Sequence, residues 1–202
     1  ADGDGEIAAG STTTYDIVVT DAAGGVGAYE VVVSSADSGV ASLTDATPIG
    51  MSGSSLTETT VTIDAATLEA AILDTDDTGS VVVGTVTVTG EAAGQTDLTL
   101  DVVALGNEAG ESYSVSSTTD ASLTVVELPS IGDSGSVPND LDDDGVYEDV
   151  NGDGSLTVAD VQLLFAQRNS GEVANYGDFY DINGDGTYDI VDVQALWNEL
   201  NG

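Results

Sequence analysis

Asp149-Val-Asn-Gly-Asp-Gly-Ser-Leu-Thr-Val-Ala-Asp160 recurs further along the chain as Asp181-Ile-Asn-Gly-Asp-Gly-Thr-Tyr-Asp-Ile-Val-Asp192. In each copy oxygen-bearing side chains fall at loop positions 1, 3, 5, 9 and 12, with glycine at position 6. That is the order in which an EF-hand loop offers oxygen ligands to calcium. A hard divalent cation takes oxygen donors, and the glycine permits the sharp turn that wraps the chain around it.

The first loop's candidate ligands are Asp149, Asn151 and Asp153 through their side chains, Ser155 through its carbonyl, Thr157 through water, and Asp160 closing the shell. In the second loop the counterparts are Asp181, Asn183, Asp185, the Thr187 carbonyl, Asp189 and Asp192. Gly154 and Gly186 make the turns. Leu156 and Tyr188, at position 8, are expected to point inward, where paired loops touch. The second loop carries one more carboxylate than the first and is expected to bind the ion more tightly. A third acidic run, Asp140-Leu-Asp-Asp-Asp-Gly-Val-Tyr-Glu148, places Asp140, Asp142, Asp144, the Val146 carbonyl and Glu148 in the same order. Asp149 or Asn151 would complete that third shell. Two calcium ions are thus expected, with a third site as an open alternative to a solvated acidic run.

Each repeated loop runs into a short amphipathic helix. Val161, Leu164 and Phe165 share a face of the first, and Val193, Leu196, Trp197 and Leu200 a face of the second. The reading of Phe165 and Trp197 favoured by that pattern is core for the small unit. Such a unit has little core of its own, so cation binding should supply folding free energy.

From Thr12 to about Glu127 the chain alternates short β-runs with Gly, Ser, Asp and Thr clusters. Tyr15, Ile17 and Val19 alternate with Asp16, Val18 and Thr20, and Tyr29, Val31 and Val33 with Glu30, Val32 and Ser34. Val82 to Thr89, Leu98 to Val103 and Leu123 to Val126 continue the pattern, which reads as a β-sandwich. Residues 1–10 read as an arm. Thr67 to Leu73 reads as one or two helical turns with Leu68, Ala71 and Ile72 on one face, and Asp74 to Gly79 as a turn. Between the two parts, prolines bracket a Gly/Ser stretch that reads as a linker. The expected organisation is a β-sandwich over 1–128, a linker over 129–138 and a calcium-binding unit over 139–202.

The 202 residues include 37 acidic side chains, one basic side chain, Arg168, and no His or Cys, for a formal net charge of -36. That charge repels phosphate, which excludes nucleic acid and anionic membrane surfaces as partners. It also strains a compact fold, and calcium or concentrated salt would offset it; the screening length is only ~3 Å at 1 M. A halophile's protein is the expected source. Without His, Cys or Lys, a Ser nucleophile would lack its base, and there is no phosphate-binding glycine loop, so an enzyme is not expected. A glycosidase needs only two carboxylates, but the sandwich has few aromatic platforms for sugar, and the sole Trp lies in the calcium unit. No stretch approaches the ~20 apolar residues of a membrane span. The start Ala1-Asp-Gly-Asp suits a mature chain whose leader was removed, and calcium loops of modest affinity suit an extracellular setting.

Two Asp-x-Asn-x-Asp-Gly loops, each with Asp at position 12 and a single following helix, resemble the dockerin family over residues 139–202. The opening Asp-Gly-Val-Tyr-Glu-Asp-Val-Asn-Gly-Asp-Gly looks like the version common in halophilic archaea. The resemblance implies a protein partner, a cohesin, contacted through Val158, Ala159, Ile190 and Val191 with Phe165 and Trp197 nearby. These pairs are apolar where many bacterial dockerins have Ser-Thr. The strand pattern of the first 128 residues, with Gly25-Val-Gly-Ala-Tyr-Glu-Val-Val-Val33, is similar to a cohesin, a jelly-roll or Ig-like sandwich. The two resemblances together imply a non-catalytic assembly protein that associates head to tail. The alternatives are a carbohydrate-binding module, with a polysaccharide ligand, carrying a dockerin for attachment to a separate scaffold, and a structural cell-surface subunit.

Overall fold

The computed structural model describes residues 4–49, 56–73 and 78–202. By its contacts the chain divides into two compact units, Ala1–Val126 and Glu127–Gly202.

The first unit is a β-sandwich. One sheet has six strands in the order β1 (Asp4–Ala8), β9 (Ala121–Val126), β8 (Gly94–Gly106), β3 (Ala28–Ser35), β6 (Ala65–Ala71) and β5 (Leu56–Val61). The other has three, β2 (Thr12–Ala22), β7 (Gly79–Gly90) and β4 (Ala41–Pro48). Alternation decides which faces meet. Tyr29, Val31 and Val33 of β3 are buried, while their neighbours on the strand look outward. In β7 the buried set changes parity, from Val81 and Val83 to Val86 and Val88. A register shift between Ile17 and Val18 of the paired β2 accounts for this, because a bulge reverses which side chains face inward. Gly84 sits at that irregularity, where an added Cβ would lie 2.8 Å from Leu68 Cδ2 across the sandwich.

Two sequence expectations are corrected here. Residues 4–8 are not part of an arm; they form β1, paired in parallel with β9. Thr67 to Leu73 is not helical. Ala66, Leu68 and Ala70 are buried with period two in β6, and Ile72 is exposed at φ 57. The Leu68, Ala71, Ile72 spacing suits a helix face, but pairing with β3 on one side and β5 on the other overrides it. The expected turn from Asp74 lies largely outside the described residues. Leu68 is fully buried in the main core cluster with Ile17, Val31 and Val83. Leu68→Ala is expected to destabilise the sandwich by about 2–5 kcal/mol in a urea titration; a loss under about 1 kcal/mol would contradict this packing.

The second unit contains α1 (Val158–Gln167), α2 (Gly171–Ala174), a 3-10 turn (Gly177–Tyr180) and α3 (Ile190–Asn201). The expected linker is absent as such. Ile131 is fully buried, Gly132 N–H donates to Glu172 Oε2 at 3.1 Å, and the compact unit already begins at Glu127. A Gly/Ser-rich composition concealed the apolar residues Leu128, Ile131 and Pro138, which are buried and tie the segment down.

Candidate metal site and apolar groove

Both repeat loops fold around their own carboxylates. In the first, Asp149 Oδ1 accepts from Asp153 N–H (3.0 Å) and Oδ2 from Gly154 N–H (2.6 Å). In the second, Asp181 Oδ1 accepts from Asp185 N–H (3.1 Å) and Oδ2 from Gly186 N–H (2.7 Å). Gly154 and Gly186 have φ of +90 and +83, a region where side chains cost energy, which is why position 6 is glycine.

The closing residue of each loop serves the helix as well. Thr157 and Asp189 are the N-caps of α1 and α3, and Asp160 and Asp192 complete capping boxes three residues on. Asp160 Oδ2 accepts from Thr157 N–H at 2.8 Å and Oδ1 from Asn151 N–H at 3.0 Å. Asp192 does the same for Asp189 N–H (2.6 Å) and Asn183 N–H (3.3 Å). Loop closure and helix initiation therefore share one carboxylate.

Burial gives these groups their chemical meaning. Asp149, Asp160 and Asp192 are each 0% exposed, and Glu148 is 3% exposed. A buried carboxylate is costly without a counter-charge. The chain's single basic side chain, Arg168, donates to the Phe165 carbonyl at 2.6 Å and lies 4.4 Å from the Phe165 ring centroid. A divalent cation held by oxygen donors fits the need, and the donor set suits a hard ion.

The third run also gathers. Carboxylate oxygens of Asp140, Asp142, Asp144 and Glu148 all lie within 4.8 Å of one another. Asp140 accepts from the N–H groups of Asp143 and Gly145, each at 2.7 Å, Asp144 from Val146 N–H, and Glu148 from Leu141 N–H. Burial pushes Glu148 up to about 7, with the Leu141 hydrogen bond opposing and the Glu199 and Asp140 charges adding to the rise. Glu199, near the end of α3, feels Asp142 and Asp144. Nothing in the loop spacing pointed to Glu199, because the fold alone carries α3 back to the acidic run.

Tyr188 of the second loop packs inward, as expected. Its ring meets Tyr180 edge-on at 6.2 Å, and its hydroxyl is buried. The reading of Phe165 and Trp197 as core is corrected: Val161, Leu164, Val193 and Leu196 fill the interior, while Phe165 is 50% and Trp197 42% exposed. At the edge of the buried stripe, they line a groove of about 450 Å³ with Val161, Ile190 and Val193. Val158, Ala159, Ile190 and Val191 are exposed on the first turns of the same two helices.

Residues 147–201 match the family model of the dockerin type I domain. The dockerin-like part thus takes in both repeat loops, α1 and α3, while the third acidic run and the segment before it lie mostly upstream of the match. The sandwich has the cohesin-like fold. A non-cellulosomal cohesin from the hyperthermophilic archaeon Archaeoglobus fulgidus is 20% identical with a TM-score of 0.51, over 62% of this chain and 88% of that one. A complex containing CaCohA2, a Clostridium acetobutylicum protein, gives 15% identity and a TM-score of 0.50 over 61% of this chain and 96% of the other. No curated protein matches the sequence.

Proposed function

We propose that this chain is a non-catalytic, extracellular, calcium-dependent assembly protein, whose dockerin-like unit docks onto a cohesin-like sandwich, with a second copy of itself as the partner. The observation that carries the calcium reading is the set of fully buried carboxylates, Asp149, Asp160 and Asp192, in a chain with one basic side chain. The dockerin type I match adds to it, since dockerin domains bind calcium. Asp149, Asn151, Asp153, Ser155, Thr157 and Asp160 would hold one ion, and Asp181, Asn183, Asp185, Thr187, Asp189 and Asp192 a second. Asp140, Asp142, Asp144, Val146 and Glu148 are assigned to a third. An ion in either repeat loop would supply the positive charge that the loop's carboxylates lack. The chain's own groups then do the rest: they fix the first turns of α1 and α3 and so present Val158, Ala159, Phe165, Ile190, Val191 and Trp197 as one apolar surface.

The choice of partner rests on both halves of such a pair occurring in one chain. A contact between unlike surfaces of identical chains is heterologous and builds rings or open filaments. A halophilic archaeal source fits the acidic surface, which would be soluble in concentrated salt.

The Asp149→Ala, Asp181→Ala double variant tests this reading in the full chain. Association should be lost while the sandwich stays folded. Glycan binding by the wild type that survives unchanged in the double variant would favour the carbohydrate-module alternative instead. A variant that associates like the wild type would overturn the proposal.

A further inference from the structure

Asp149 differs from its counterpart in the second loop in its burial and in its hydrogen bonds. Besides the two loop N–H groups, its Oδ2 accepts a third hydrogen bond, from Asn139 Nδ2 at 2.8 Å. Asn139 is held in place by a backbone bridge to the same residue: Asn139 N–H donates to the Asp149 carbonyl (3.0 Å) and Asp149 N–H to the Asn139 carbonyl (3.2 Å). The segment before it is anchored in turn. Val137 presses its carbonyl against Gly152, Pro138 is buried, and Ile131 is fully buried further back. Asp181 is partly exposed, and among the described residues its carboxylate receives only the N–H groups of Asp185 and Gly186.

We propose that Asn139, which lies outside the dockerin match, is a positioning residue for the first calcium loop, and that it makes this loop bind more tightly than the second. This rests on the calcium reading above. The physical reason is preorganisation. Three donors on Asp149, two of them on Oδ2, fix the orientation of the position-1 carboxylate before any ion arrives, and full burial removes competing water. Outer partners that orient a ligand typically change metal affinity 10- to 100-fold. The extra carboxylate at Asp189 favours the second loop, but Asp189 is exposed and serves as the N-cap of α3. Its charge therefore acts through water and is screened. Preorganisation at Asp149 outweighs it.

The test follows the amide resonances of Gly154 and Gly186, one per loop, while the full-length chain is titrated with calcium against a competing chelator. In the wild type Gly154 should respond at lower free calcium than Gly186. Asn139→Ala keeps the backbone bridge and removes only the donor; it should raise the Gly154 midpoint about 10-fold and leave that of Gly186 within about twofold. Asn139→Leu, which fills the space without a donor, should do the same, and guards against a variant that fails by loss of packing. If Asn139→Ala leaves the Gly154 midpoint unchanged, or moves both midpoints equally, Asn139 has no positioning role and the inference fails. If neither glycine responds to calcium in the wild type, the calcium reading itself fails, and this inference with it.

Discussion

Removing calcium is expected to unfold residues 127–202 and leave the sandwich folded. The carboxylates buried at Asp149, Asp160 and Asp192 have only N–H donors and, at Asp160, the Thr157 hydroxyl to offset their charge, and the nearby cluster Asp140, Asp142, Asp144 and Glu148 adds further repulsion. Each loop saturated at a thousandfold excess over its Kd contributes about 4 kcal/mol to stability. Two such loops supply about as much as the whole stability of an ordinary small domain, about 5–15 kcal/mol. Hydrogen exchange in concentrated salt should therefore show amides of α1 and α3 losing protection on chelation, while those of β3 and β7 keep theirs. Equal protection of α1 and α3 with and without calcium would contradict the coupling of ion to fold.

The second large effect lies at Gly152. Its φ is +69, and an added Cβ would stand 2.1 Å from the Val137 carbonyl oxygen and 2.8 Å from Ser136 Cβ. Neither side can yield cheaply, because one contact is backbone in the segment anchored by Ile131. The repeat provides its own control. Gly184, at the matching position of the second loop, has φ +68 and nothing within 4 Å of an added Cβ. Gly184→Ala should cost about 1 kcal/mol for its conformation alone, whereas Gly152→Ala should cost about 3 kcal/mol or more. Urea unfolding of the C-terminal unit, followed by the Trp197 fluorescence, measures both. Equal losses would show that the segment before Asn139 does not bear on the loop.

These contrasts mark where sequence reasoning reached its limit. The two repeat loops were legible because their oxygen-bearing residues and glycines recur in register, and the helices after them because their apolar residues repeat at helical intervals. Most strands of the sandwich were legible too, since Tyr29 to Val33 and Val82 to Thr89 alternate with the pleat. What period alone could not decide was Ala65–Ala71, whose small apolar residues fit a helix face and a strand equally well until β3 and β5 are placed beside it. Likewise Asp4–Ala8 carries too little apolar character to announce β1; its partner β9 supplies the reason for the strand. Phe165 and Trp197 continue the apolar stripe of their helices, yet Leu164 and Leu196 suffice to fill the interior, and the two aromatics stay at the surface. Asn139 and Glu199 reach the acidic loops only through the folded chain, and no spacing rule would have found them.

Light scattering on the size-fractionated full chain, in concentrated salt and over a range of protein concentration, decides whether calcium drives association. With saturating calcium, masses above that of one chain are expected, rising with concentration, with a return to the monomer when chelator is added. A chain that stays monomeric at high concentration with calcium in excess would contradict it.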